Sequence, residues 1–126
     1  RDRTLADVPA LVAEARATGA RITLRLSPAV PGAVSRAVSR EAYAIVREAL
    51  TNALRHGGGG TEVTGEAHAH TVALTVSNDL RPGPTGRAGR GLAGMRERAE
   101  GVGGSLTWGP DGHRWRVRAV LPREVR

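Results

Sequence analysis

The chain has 126 residues, 40% of them hydrophobic, and no cysteine; this suits one domain with one core and excludes a disulfide framework or a thiolate zinc site. The formal net charge is +7 and every basic residue is arginine, a surface that attracts polyanions, but Tyr43, Trp108 and Trp115 are the only aromatic residues, too few for the stacking platforms that usually hold single strands, so direct nucleic-acid binding is not expected. No apolar run approaches the roughly 20 residues of a membrane span and no signal peptide opens the chain, so a soluble, cytoplasmic location is expected, whether or not a parent protein is anchored in the cell membrane.

In chain order, Leu5, Val8, Leu11, Val12 and Ala15 follow helical spacing over residues 4–18, with Gly19 as the stop. Residues 21–26 alternate like a strand, and Pro28, Pro31 and Gly32 turn the chain. From about Ser39 to His56, Ala42, Ile45, Val46, Ala49, Leu50, Ala53 and Leu54 form one apolar stripe of 3.6-residue period, and Gly57 to Gly60 end that helix. Residues 61–68 and 71–78 read as two strands joined by a tight turn. Residues 79–90, with three glycines and two prolines, form no regular element. A helix over 91–101 is broken by Gly103 and Gly104, and strands near 105–108 and 114–121 close the chain around the turn Gly109-Pro110-Asp111-Gly112. Adjacent strands favour antiparallel pairing. The expected fold is therefore an α/β two-layer sandwich, a mixed and mostly antiparallel sheet with about three helices on one face. Residues 1–18 are expected to be a connector from an upstream region and 19–126 the domain proper.

Two stretches carry candidate chemistry. On the polar side of the long helix, Glu41, Glu48, Asn52 and Arg55 fall in a narrow arc with His56 at its border. Glu48 and Asn52 are four apart, so their side chains are neighbours. A carboxylate beside an amide oxygen suits magnesium, which takes few protein ligands when phosphates supply the rest; an ordinary solvated face has the same composition. Residues 89–98, GRGLAGMRER, place Gly89 and Gly91 before a helix start, where backbone N–H groups can meet an anion. This is neither a Walker loop, for the chain has no lysine, nor a dinucleotide fingerprint, for no strand precedes it.

The segments EAYAIVREALTNALRH, LTVSND, GRGLAGMRERAEGVGGSL and WRVRAVLP, in that order, resemble the ATPase domain of bacterial sensor histidine kinases, in particular the branch whose partners are response regulators with helix-turn-helix output domains. The resemblance covers about residues 20–122. It implies the ATP-binding fold shared with type II topoisomerases and a heat-shock chaperone, the Bergerat fold, with ATP and Mg2+ held between helices under a lid. By the same resemblance Asn52 would coordinate magnesium, and Glu48 would activate the accepting histidine or position a water. His56 and Arg55 would touch phosphate, residues 79–90 would form the lid, and Gly89, Arg90, Gly91 and Leu92 would close on the phosphates. The implied activity is that of an ATP-dependent protein-histidine kinase, catalytic domain only. ATP or ADP and a phosphoacceptor-dimerisation domain of the same parent protein would be its direct partners, a response regulator an indirect one, and the isolated domain a monomer. A non-catalytic nucleotide-binding or partner-docking module is the alternative.

The sequence departs from the family in two places. Where the family has Asp-x-Gly-x-Gly to read adenine, this chain has Asn78-Asp79-Leu80-Arg81-Pro82. Strand alternation puts Asn78 in the place of the Asp, and Asp79 is the other contact. Trp115 stands where the family often has Thr or Ser; packing beside the base and sealing the sheet both remain open to it. None of His56, His68, His70 and His113 sits in a phosphoacceptor context. His68 and His70 are expected to point to one face of a strand, an exposed polar face in preference to a metal pair.

Overall fold

Ser35 starts the long helix. Its Oγ accepts a hydrogen bond from the Val38 N–H at 3.3 Å, and its carbonyl accepts from the Ser39 N–H at 2.9 Å, an N-cap that begins the helix at Arg36, earlier than the apolar stripe indicates. The structure, a computed structural model, describes residues 2–56, 58–80 and 91–126, with the side chains of residues 56 and 58 outside that description. A 3-10 turn (Leu5–Asp7) leads into α1 (Val8–Ala17), followed by β1 (Ile22–Leu26), α2 (Arg36–His56), β2 (Gly58–Ala67), β3 (Thr71–Asp79), α3 (Leu92–Gly101), β4 (Ser105–Asp111) and β5 (Arg114–Pro122). The strand order is β1-β2-β3-β5-β4. Only the β1–β2 pair is parallel; the other three pairs are antiparallel. The fold is an α/β sandwich of three helices on a five-stranded mixed sheet.

Alternation divides the sheet into a helix-facing side and an open side. Val63, Val76 and Val117 lie side by side on one rung of the helix-facing side, and Leu74 and Ala119 on the next. With Ala42, Ile45, Val46, Ala49 and Leu50 of α2 and Leu92, Met95 and Ala99 of α3 they make one buried core. Ala73 and Ser77, on the open side of central strand β3, are buried as well. The segment expected to be a connector packs into this core: Leu5, Val8 and Val12 are wholly buried, and the Leu5 N–H donates to Ser39 Oγ of α2 at 2.9 Å.

Three boundaries differ from expectation for identifiable reasons. Pro9 sits in the first turn of α1, where its missing N–H costs nothing, and a tight 3-10 turn precedes it. Gly58 to Gly60 belong to β2, with an irregular register between Gly58 and Thr61. Pro110 does not turn the chain; it lies in edge strand β4 opposite Trp115, a position that tolerates a missing donor, and the hairpin loop shrinks to Gly112, at φ +65°, and His113. His68 and His70 fall in the β2–β3 turn, after β2 has ended, and among the described residues no group of three or more His, Cys, Asp or Glu side chains is placed to hold a metal. No helix is long and apolar enough to cross a membrane among the described residues.

The glycine pair after α3 has a distinct role at each position. Gly103, at φ +91°, closes a Schellman cap: its N–H donates to Glu100 O at 2.9 Å and the Gly104 N–H to Ala99 O at 2.8 Å. Gly104 lets the backbone pass against β5, since a methyl group there would lie 2.5 Å from Val120 O and 2.8 Å from a Leu121 methyl. Gly94, within α3, has nothing within 4 Å of such a methyl. We expect Gly104→Ala to lower the unfolding free energy by about 1–3 kcal/mol through overpacking and Gly94→Ala to raise it by about 0.5–1 kcal/mol through helix propensity. The two urea midpoints, at unchanged slope, check this; equal shifts would refute the asymmetry.

Candidate nucleotide-binding site

The site assembles where the end of α2 meets the start of α3. The helices run antiparallel: Gly91, before α3, lies against Glu48 and Asn52, while Arg98 Nη1 donates to Glu41 Oε1 at 2.9 Å two turns earlier on α2. Gly91 has φ +78°, and a methyl group on it would come within 3.2 Å of both Asn52 Nδ2 and Glu48 Oε2. A side chain there would be strained and would fill the space between the two polar groups. Glu48 is exposed and Asn52 half-buried, and neither is bound to another described side chain. The carbonyl of Gly91 accepts the Met95 N–H at 2.9 Å, and Leu92 is buried beneath the first turn. The N–H groups of that first turn have no partner within the helix, and its positive end faces Glu48 and Asn52.

Arg55 is exposed at the end of α2. His56 ends the helix, and its side chain lies outside the described residues, as do Gly89, Arg90 and residues 81–90 of the expected lid. A groove of about 550 Å³, lined by Arg40, Glu41, Glu97 and Arg98 among others, also lies between α2 and α3. It flanks the N-terminal half of α2; of the polar arc read from the sequence Glu41 lines it, and Glu48, Asn52 and Arg55 do not.

The second part of the site is the end of β3. Asn78 projects to the helix-facing side, where it pairs across the sheet with Thr61 on one side and Trp115 on the other. It is 5% exposed, and its Nδ2 donates to Asp79 O at 3.2 Å. Asp79 projects the other way. On the open side its Oδ1 accepts from Arg114 Nη1 at 2.8 Å, and Gly59, at φ +68°, has no room for a side chain because Oδ2 of Asp79 lies there. Of the two residues offered by the sequence for contact with a base, Asn78 shares its side of the sheet with the polar residues of α2 and Asp79 does not. Leu80 continues the strand pairing, its N–H donating to His113 O at 3.0 Å. Trp115 is half-buried and packed on the core; its neighbour Trp108 is covered by the Arg96 guanidinium, 4.5 Å from the ring centroid.

Sequence reasoning passed over Arg114 and Gly59. A signal existed for the first: Arg114, Arg116 and Arg118 alternate with Trp115, Val117 and Ala119, which places three guanidinium groups on the open side. Gly59 was hidden within a run of four glycines that reads as a helix stop.

No protein-family model matches the chain. Over 73 residues, 56% of this chain and 18% of the relative, it is 40% identical to the sensor histidine kinase YxjM of Bacillus subtilis (strain 168); the chain thus spans a minor part of that relative's length. Among solved structures, it matches the catalytic domain of histidine kinase ThkA, in a nucleotide-free form, with a TM-score of 0.73 at 14% identity, covering 100% of this chain and 98% of that one. It matches the blue-light activated histidine kinase EL346 of Erythrobacter litoralis with a TM-score of 0.76 at 19% identity, covering 94% of this chain and 41% of that one. It matches the histidine kinase AdeS of Acinetobacter baumannii with a TM-score of 0.68 at 16% identity, covering 94% and 64%. The chain has the fold of the catalytic domain of histidine kinases.

Proposed function

We propose that this chain binds ATP with magnesium and presents the γ-phosphoryl group to a histidine on a separate phosphoacceptor-dimerisation domain, from which a response regulator would draw the phosphoryl group. The observation that supports this best is the meeting of Glu48, Asn52 and Gly91 at one point, which joins the two stretches of sequence that carry chemistry. The first turn of α3 offers N–H groups to an anion. Arg55, together with His56 at the end of α2, is the proposed contact for the outer phosphates, and Gly89, Arg90 and Leu92 are proposed as further phosphate contacts. Asn78 is the proposed contact for the base, and Trp115 beside it the apolar wall.

The donor set fits magnesium in one specific way. Asn52 offers an amide oxygen with the Glu48 carboxylate beside it, and among the described residues no group of three or more His, Cys, Asp or Glu side chains is placed to hold a metal. That is too few for an all-protein cage and appropriate for a cation that keeps waters and takes phosphate oxygens. When bound, the metal neutralises phosphate charge. The protein's part is positioning: the Asn52 amide oxygen would hold the cation that the outer phosphates share, the N–H groups of the first turn of α3 would hold those phosphates from the other side, and Glu48, one turn before Asn52, is the proposed group to take a proton from the attacking imidazole or to order a water. Phosphoryl transfer rests mainly on such positioning and charge stabilisation.

Magnesium alone should leave the melting curve unchanged, ATP alone should shift it weakly, and the two together should stabilise by about 2.7 kcal/mol at a hundredfold excess over Kd. Asn52→Ala should weaken magnesium-dependent binding roughly ten- to hundredfold, the loss of a bond to a charged partner, with the nucleotide-free melting temperature unchanged. A variant that binds Mg-ADP like the parent would sink the assignment of Asn52. Glu48→Gln should keep nucleotide binding and slow transfer to a separately supplied phosphoacceptor domain by on the order of 10²-fold or more. Binding without any transfer by the parent chain would favour the non-catalytic module.

A further inference from the structure

Two residues at the end of β3, Ser77 and Asp79, are held from the open side by one arginine. Arg114 lies in register with Asp79. Its Nη1 donates to Asp79 Oδ1 at 2.8 Å, its Nη2 to Ser77 O at 3.0 Å, and Nε and Nη2 to Ser77 Oγ at 3.3 and 3.2 Å. The fork of a guanidinium allows this; an ammonium group cannot reach both residues with fixed geometry. The other carboxylate oxygen of Asp79, Oδ2, lies over Gly59, in space that a side chain there would fill. The residue between the two held positions is Asn78, whose side chain emerges on the opposite side of the sheet.

The clasp also fixes which end of the Asn78 amide faces out. Nδ2 donates to the main-chain carbonyl of Asp79 at 3.2 Å. A carbonyl can accept but not donate, so the amide cannot turn over without opposing two oxygens. Oδ1 is therefore the end left for a ligand, and no described residue donates to it. An acceptor at this place does what a carboxylate oxygen would do toward an exocyclic amino group.

We propose that Arg114, acting with Asp79, is a positioning residue: from the open side of the sheet it holds Asn78 Oδ1 as the acceptor that selects a purine carrying an amino group. This rests on the reading of Asn78 as the contact for the base. The Arg114–Asp79 pair is partly exposed, with side-chain exposures of 32% and 47%, and such pairs contribute little to stability. Its loss should therefore appear in base selection and not in folding.

The test measures affinities of the 126-residue chain for ATP and for purine riboside triphosphate, which is ATP without its amino group, both with magnesium. The parent should prefer ATP by about fivefold, the worth of one hydrogen bond. Arg114→Met should bring the ratio to near unity, with the affinity for purine riboside triphosphate and the nucleotide-free melting temperature retained, and Arg114→Lys should not restore the preference. A parent-like ratio in Arg114→Met overturns the clasp. Should that variant fail to fold, Asp79→Ala reads the same quantity, and a parent-like ratio there overturns it equally. Asn78→Ala separates the two claims. If it keeps the preference, the base is not read at Asn78 and both fall; if it loses the preference while Arg114→Met keeps it, only the clasp falls. A parent chain indifferent to the amino group also overturns the proposal.

Discussion

The close approach of α3 to α2 at Gly91 is the constraint on which the candidate site depends. A side chain at this point would crowd Glu48 and Asn52, 3.2 Å from its first carbon, and would strain the left-handed backbone conformation that turns the chain into the helix. With glycine, the positive end of α3 faces a carboxylate and an amide across an open gap, an arrangement suited to a phosphate that brings its own cation. The approach is set at both ends of α3. The Glu41–Arg98 contact holds its second half against α2. The Schellman cap and the tight passage of Gly104 over β5 fix where the helix must stop.

The strand alternation at the end of β3 explains how a departure from the family pattern can coexist with a built site. Neighbouring residues of a strand serve opposite sides of the sheet. Asp79 is thus available to hold the strand end from behind while Asn78 faces the helices. The carboxylate that the pattern would place at residue 78 is absent, and the one at 79 is engaged by Arg114 and packed over Gly59. The irregular register of β2 between Gly58 and Thr61 brings that glycine under the carboxylate, so the glycine run after α2 has a role beyond stopping the helix.

Much of the fold was legible in the sequence because each element carries its own period: six of the seven apolar positions read on α2 are buried, Leu54 near the helix end being exposed, and β3 and β5 alternate. Element ends were less legible because they depend on single polar contacts. The Ser35 cap extends α2 beyond its apolar stripe, and the β4–β5 ladder overrides the turn propensity of Pro110. At the site, the sequence indicates that Glu48 and Asn52 are neighbours, four apart on a helix. It cannot show by spacing alone that Gly91 meets them, since that contact joins residues some forty positions apart and depends on how two helices pack. The role of Arg114 needed the β3–β5 register, which pairs it with Asp79 across a sequence separation of 35 residues.

Orientation at the site also depends on the packing behind it. One flank of α2 buries Ala42, Ile45, Val46, Ala49 and Leu50 against the sheet, and its beginning is tied to the 3-10 turn through the Leu5–Ser39 hydrogen bond, next to the wholly buried Leu5, Val8 and Val12. A helix held on its sheet side and at its start has little freedom to roll, and a roll would carry Glu48 and Asn52 away from Gly91 together, because they lie on one face a turn apart. Preorganised geometry of this kind lets two side chains and a helix terminus act on a ligand without first being ordered by it. It also accounts for the segment before β1 being packed as part of the core: removing Leu5 and Val8 from the back of α2 would loosen the same helix whose other side carries the polar residues.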